Sequence, residues 1–371
     1  MTPESPIRVM VVDDSTVIRG VLGRIVDAQP DMKVVASAPN GRSALDLLRH
    51  RGADVVLLDV EMPEMDGLAA LPRILAEHPD VRVMMASSLT QKGAQVTLNA
   101  LALGAADFIA KPSSRGALGL DAVAAELVTK IRGLMRRPLR TAPAARPAPP
   151  PGPVAPLAPV APLSPLTPLG GPGLHRGEAA RIVAIASSTG GPNALSTVLR
   201  AMPADFATPI LITQHMPPAF TAALADRLAR ETGRPCREAV QGEPVLAGHT
   251  YVAPGEHHMT VMTREREPVI RLDQGPPENH CRPAADPMLR SVAAVYGPAA
   301  LAVVLTGMGE DGRRGCGDIR RRGGRIVAQD EATSVVWGMP GAVVTAGLAD
   351  AVLPLDRIAH HIQSLSTAAH A

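Results

Sequence analysis

A long run of prolines divides this chain before any other feature is read. From about Arg137 to Gly173 the sequence is dominated by Pro, Ala and Leu, with PAPPPGPVAPLAPVAPLSPLTPLGGPG at its heart. Proline at that density removes backbone donors and forbids helix, so the segment reads as an extended, polyproline-like tether. At roughly 3 Å per residue it would reach on the order of 100 Å. It leaves a piece on each side large enough to bury its own core. The expected division is 1–135, a connector at 136–177, and 178–371.

Composition narrows the functions. Lys and Arg number 37 against 35 Asp and Glu, a net charge of +2, so no global field draws the chain to nucleic acid or acidic lipid. Aromatic residues make up 2%, which leaves little for base stacking. Cys236, Cys281 and Cys316 are widely spaced and odd in number, which fits reduced thiols in a cytoplasmic protein rather than a disulfide framework or a zinc site. No signal peptide is expected, because the apolar run Val9–Val12 meets Asp13-Asp14 at once, and no apolar stretch is long enough to span a membrane.

Before the tether, short apolar runs (Ile7–Val12, Val34–Ala36, Asp54–Leu58, Val81–Ala86, Asp107–Ile109) alternate with helical patterns such as Val17–Ala28 and Gly41–His50. That alternation predicts a parallel sheet covered on both faces. In such a sheet function gathers at the carboxyl ends of the strands. Asp13 and Asp14 end the first run and Asp59 the third, while Ser87 and Lys111 follow the fourth and last. Three converging carboxylates repel unless a cation sits among them, and a hard, oxygen-liking ion such as Mg²⁺ meets that need. Asp59 then becomes a candidate phosphoryl acceptor, with Lys111 to offset the charge and Ser87 to supply a hydrogen bond. VVDDS at 11–15, LLDVEMPEMDG at 57–67, the serine after VMMA at 83–86 and DFIAKP at 107–112 resemble the receiver domains of two-component response regulators. The resemblance implies a flavodoxin-like receiver phosphorylated at Asp59 by a chemotaxis histidine kinase, with Ser87 and Phe108 as the pair that rearranges.

The same grammar returns after the tether. Arg181–Ala186, Pro209–Thr213, Ala300–Thr306 and Arg325–Gln329 read as buried strands, with helical patterns at Asn193–Ala201, Thr221–Glu231 and Pro287–Val295. Thr250–Pro254 and Val269–Leu272 look like an antiparallel excursion. The first strand runs into Ser187-Ser188-Thr189-Gly190-Gly191-Pro192, where glycines let the backbone bend and leave amides free at a helix start. By itself that turn serves equally as a phosphate cradle or a helix cap. The next strand ends at His215, either a general base or a structural histidine, and VVLT leads through Gly307-Met308-Gly309-Glu310 to Asp311. Serine, histidine and aspartate thus fall at three strand ends, in an order that differs from the α/β-hydrolases.

AIASSTGGPNAL, ITQHMPPAFTAALADRL, GHTYVAPGEHHM, VVLTGMGEDG and VAQDEATSVVWGMPGAV closely resemble the catalytic domain of the chemoreceptor protein-glutamate methylesterases, the CheB family. The resemblance implies an α/β chain of two doubly wound parallel-sheet domains, with a Rossmann-like esterase as the output. It puts a triad on Ser188, His215 and Asp311, with Thr189 and the Met308 backbone supporting the oxyanion. It further implies methyl-accepting chemoreceptors as substrate, glutamine deamidation as a second activity, Mg²⁺ for phosphorylation only and a cytoplasmic, monomeric state without membrane insertion. Three positions depart from the family: Ala186-Ser187 stands where Gly-Ala is usual, which offers a second serine; Arg282-Pro283-Ala284 replaces RPS, losing a hydroxyl expected to face substrate or the receiver; and Glu310 stands where asparagine is common. His257, His258 and His280 are expected in exposed loops, His50 and His78 on the surface, Trp337 in packing, and Arg321, Arg322 and Arg325 at a solvated helix end. A DNA-gripping output and a catalytically silent scaffold are the rival readings; the first would need a basic face and a recognition helix.

Overall fold

The computed structural model describes residues 5–111, 119–135 and 178–367. The tether reading, all of 136–177 and Pro112 lie outside them. The first half alternates β1 (Ile7–Val12), α1 (Thr16–Asp27), β2 (Met32–Ala38), α2 (Gly41–Arg51), β3 (Val55–Asp59), α3 (Gly67–Glu77), β4 (Arg82–Ser87), α4 (Gln91–Ala102), β5 (Asp107–Ala110) and α5 (Leu120–Met135). Its five strands pair in parallel in the order β2-β1-β3-β4-β5, the flavodoxin-like arrangement. Helix starts are written locally. Ser15, Asn40, Asp66 and Thr90 each accept a hydrogen bond from a first-turn amide, which satisfies an otherwise orphaned donor.

The second half follows with β6 (Ile182–Ser187), α6 (Gly191–Arg200), β7 (Ile210–Gln214), α7 (Pro218–Thr232), β8 (Cys236–Glu238), β9 (Thr250–Val252), β10 (His258–Arg264), β11 (Glu267–Asp273), α8 (Ala285–Tyr296), β12 (Ala300–Val304), α9 (Arg313–Arg321), β13 (Arg325–Gln329), α10 (Met339–Thr345), β14 (Ala351–Leu353) and α11 (Leu355–Thr367). Seven strands form one sheet in the order β14-β13-β12-β6-β7-β9-β8. The antiparallel expectation holds for Val269–Leu272, which lies in β11 and pairs with β10, but not for Thr250–Val252. That segment pairs in parallel with Ile210–Ile212 and extends the main sheet. Three residues between turns carry too little periodicity to reveal their direction.

β6 and β12 are buried at every residue, as strands covered on both faces must be. In contrast to the first half, α6, α7, α8 and α9 have no side-chain cap. At α8 the Ala285 and Asp286 amides donate instead to Asp311, and in α9 the Gly315 amide donates to Asp286. Among the described residues no helix is long and apolar enough to cross a membrane.

Candidate active site and phosphorylation site

In the first half the predicted acidic cluster is assembled. Ligand oxygens of Asp13, Asp14 and Asp59 lie within 4.8 Å of one another. The Lys111 ammonium sits 2.8 Å from Asp13 Oδ2 and 2.7 Å from Asp59 Oδ2. Burial pushes the Asp59 carboxyl up, Lys111 pulls it down, and the balance is a raised pKa. Burial alone would lower Lys111, but its two carboxylates hold it above its usual value. An all-oxygen set with one exposed member, Asp14, fits a hard divalent cation that keeps waters for an incoming phosphoryl group. The Ser87 hydroxyl is buried and accepts from Thr97 Oγ1 at 2.7 Å.

In the second half the three strand ends meet. His215 Nε2 lies 2.7 Å from Asp311 Oδ2. Asp311 is held from every side: the Ala285 amide donates to Oδ2, and Asn279 Nδ2 and the amides of Asp286 and Gly312 donate to Oδ1. The uncapped start of α8 therefore supplies two of these donors. Burial would raise Asp311, but His215 and those amides keep it below the usual carboxylate range. Ser188 follows β6 directly and is partly exposed, with its amide bonded to the Thr306 carbonyl.

The second serine is structural. Ser187 is fully buried and its Oγ donates to Gln214 Oε1 at 2.7 Å, while Gln214 Nε2 donates to the Ser188 carbonyl at 2.9 Å. A Cβ at Gly191 would collide with Gln214 Oε1 and crowd Ser187. At Gly307 a Cβ would lie 2.9 Å from Ser188 Cβ, so only glycine lets the chain after β12 approach the Ser188 turn. Ser187→Ala strips a buried acceptor of its donor and is expected to cost about 1–3 kcal/mol of stability, measurable by denaturant unfolding, while leaving the Ser188 hydroxyl in place.

Several expectations are corrected here. His258 is buried within β10, not exposed: its ring faces the Pro276 carbonyl through Nε2 and takes the Ala284 amide on Nδ1. Ala284 is fully buried at the N-cap of α8, where a side chain lies at the helix start and not on an exposed surface facing substrate or receiver. Arg325 lies on β13 and donates to the carbonyls of Glu178 and Leu365. His78 is half-buried, whereas His50 and His280 are exposed as expected. His257 is half-buried, and its ring faces the Gly255 carbonyl. Trp337 is half-buried and donates to the Gln329 carbonyl. The sequence reading gave no site role to Asn279, Asp286 or Gln214, and read Cys281 only as a reduced thiol. Gln214 carried a signal, a polar residue at the end of an apolar strand just before His215. Asn279 and Cys281 sit in a loop with no periodicity.

The two halves touch at this site. The Thr189 hydroxyl donates to Asp107 Oδ2 at 2.6 Å. Phe108 stacks on Phe220 with ring centroids 4.3 Å apart and planes 7° from parallel. Asn193 Nδ2 donates to the Leu101 carbonyl and Arg227 Nη1 to the Leu98 carbonyl. Met308 packs against α5 so closely that a Cβ at Gly133 would strike its methyl group. Both residues expected to support an oxyanion are thus engaged by the α4–β5–α5 face.

Residues 183–362 match the CheB methylesterase family and residues 9–122 the response regulator receiver domain. The chain is 51% identical over 361 residues to protein-glutamate methylesterase/protein-glutamine glutaminase 2 of Caulobacter vibrioides, covering 96% of this chain and 98% of the relative. It is 48% identical over 372 residues to the protein-glutamate methylesterase/protein-glutamine glutaminase of the group 2 operon of Rhodospirillum centenum, covering 97% and 94%. Among solved structures, the CheB methylesterase catalytic domain of Thermotoga maritima is 40% identical, covers 51% of this chain and all of that chain, and gives a TM-score of 0.50.

Proposed function

The chain belongs to the CheB methylesterase family, and we propose that it hydrolyses glutamate methyl esters on chemoreceptor cytoplasmic domains, releasing methanol, under control of phosphorylation at Asp59. Glutamine deamidation is the same acyl transfer with ammonia as the leaving group. The observation that carries the assignment is the His215–Asp311 pair, 2.7 Å apart beside the Ser188 turn. Residues 1–135 serve as receiver, 136–177 as tether and 178–371 as esterase. The family's chemistry supports a cytoplasmic chain with a chemotaxis histidine kinase as phosphodonor.

In this mechanism Ser188 Oγ attacks the ester carbonyl and His215 takes its proton. Asp311 occupies Nε2, so Nδ1 is the nitrogen left for that proton. The oxyanion accepts hydrogen bonds from the turn at Thr189 and from the Met308 amide, each donor worth about 3–4 kcal/mol. His215 returns the proton to the departing methoxide. Water then attacks the glutamyl ester of Ser188, and its proton passes through His215 back to the serine.

A low resting rate is expected of the closed arrangement. Burial alone would lower the pKa of His215, but Cys281 and Asp311 raise it to about 10. Both ring nitrogens are already engaged, by Asp311 and Cys281. Asp107 holds the Thr189 hydroxyl, and the α4–β5–α5 face covers the turn. Mg²⁺, held by Asp13, Asp14 and Asp59, would supply charge neutralisation for the incoming phosphoryl group. Phosphorylation then redirects Lys111 and Ser87, and Phe108 leaves its stack on Phe220. A coupling of about 1–3 kcal/mol suffices for a several-fold to hundredfold change.

Asp107→Ala removes the acceptor for Thr189 and is expected to raise methanol release by the unphosphorylated chain about three- to tenfold. An unchanged or lower resting rate, with phosphodonor activation intact, would argue against this contact as part of the cover.

A further inference from the structure

We propose that Cys281 is a positioning residue for the catalytic base, its thiol holding the Nδ1 face of His215 in competition with Ser188. The inference rests on the esterase reading above and deepens it. His215 has two ring nitrogens, and Asp311 takes Nε2 at 2.7 Å. Nδ1 is therefore the nitrogen that must receive the serine proton. In the closed chain that nitrogen lies 3.5 Å from Cys281 Sγ. Among the described residues the Ser188 hydroxyl has no hydrogen-bond partner. Nucleophile and base are thus neighbours at the ends of β6 and β7, yet the base is engaged by sulfur.

The other thiols do nothing comparable. Cys316 is fully buried in the apolar core on the inner face of α9, and burial pushes Cys236 up to about 12. Cys281 is partly exposed, in the loop between β11 and α8 that also delivers Asn279 to Asp311. One loop therefore reaches both partners of the imidazole: Asn279 fixes the carboxylate on one side, and Cys281 meets the free nitrogen on the other. The groups that face the ring are Asp311 and Cys281, and Asp286 acts one step removed, through Asn279.

With one ring nitrogen against Asp311 and the other against sulfur, the imidazole has no nitrogen free to take the serine proton. Burial opposes a charged ring, while Cys281 and Asp311 favour it, in keeping with the raised pKa. A thiol is a weak hydrogen-bonding partner, so the hold is one that substrate-bound Ser188 can displace. Cys281 would keep the base oriented while idle and release it for turnover.

The test uses the full chain. Cys281→Ala is expected to shift the acid limb of the pH–rate profile downward by about one unit and to raise the resting rate at neutral pH about three- to tenfold, the worth of one hydrogen bond. Cys281→Ser, which restores a partner at Nδ1, should bring the profile back towards wild type. A merely structural role would lower the rate at every pH and leave the limb where it was. The second readout does not need activity. In a Ser188→Ala background, the His215 ring is followed by nitrogen NMR as pH is varied, assigned against His215→Gln. A downward shift of its midpoint on adding Cys281→Ala supports the proposal even if no variant releases methanol, in which case the esterase reading alone falls. A midpoint that stays put overturns the proposal whatever the activity.

Discussion

Ser188→Ala is expected to lower kcat for methanol release by about four to six orders of magnitude while leaving the fold intact. Ser188 is partly exposed and its side chain supports nothing around it, so the loss should be chemical and not structural. Ser187→Ala provides the opposite pattern. That hydroxyl is sealed under Gly191 and spent on Gln214, so its removal should weaken the fold and retain most of the turnover. Were Ser187→Ala to abolish turnover in a stably folded protein while Ser188→Ala kept it, the nucleophile would have to be reassigned.

Asp311→Asn should cost about four orders of magnitude in kcat, because the amide offers the imidazole a donor where it needs an acceptor. The surroundings make the loss hard to evade. Both carboxylate oxygens already accept protein donors: Oδ2 from His215 and Ala285, Oδ1 from Asn279, Asp286 and Gly312. Whichever way the new amide turns, its N–H₂ meets hydrogens. Stability should fall as well, by roughly 3–5 kcal/mol if the site cannot relax. The pH dependence has a definite sign. Asp311 is depressed in the folded protein, so its contribution is present above the ordinary carboxylate pKa and is lost as pH falls through the folded value. The stability gap between wild type and variant, read from denaturant unfolding, should therefore be full at neutral pH and narrow in acid.

Much of this was legible in the residues because it is local. Apolar runs of fixed length between helical patterns place β1, β3, β6, β7, β12 and β13, and strand ends are where parallel sheets keep their chemistry. Asp59, His215 and Asp311 could be found that way. What stayed hidden is long-range or three residues long. The direction of β9 depends on its neighbour β7, not on its own sequence. Cys281 lies 66 residues from His215 in a loop without periodicity, and Thr189 meets Asp107 across 82 residues and the domain boundary. His258 was misjudged because a histidine in a polar stretch looks exposed until the turn at Pro276 and the start of α8 close over it. Ala284 has a similar lesson: its place at the buried start of α8 shows only once that helix packs on Asp311.

In the proposed mechanism a receiver sits on a serine esterase and is loosened by phosphorylation at Asp59. The decisive experiment is methanol release from methylated receptor cytoplasmic fragments, comparing the full chain with its Asp59→Asn variant, each with and without a small phosphodonor and Mg²⁺. A low rate is expected in all samples except wild type with phosphodonor, where it rises several-fold to a hundredfold. Equal rates in wild type with and without phosphodonor, or equal stimulation of Asp59→Asn, would contradict it.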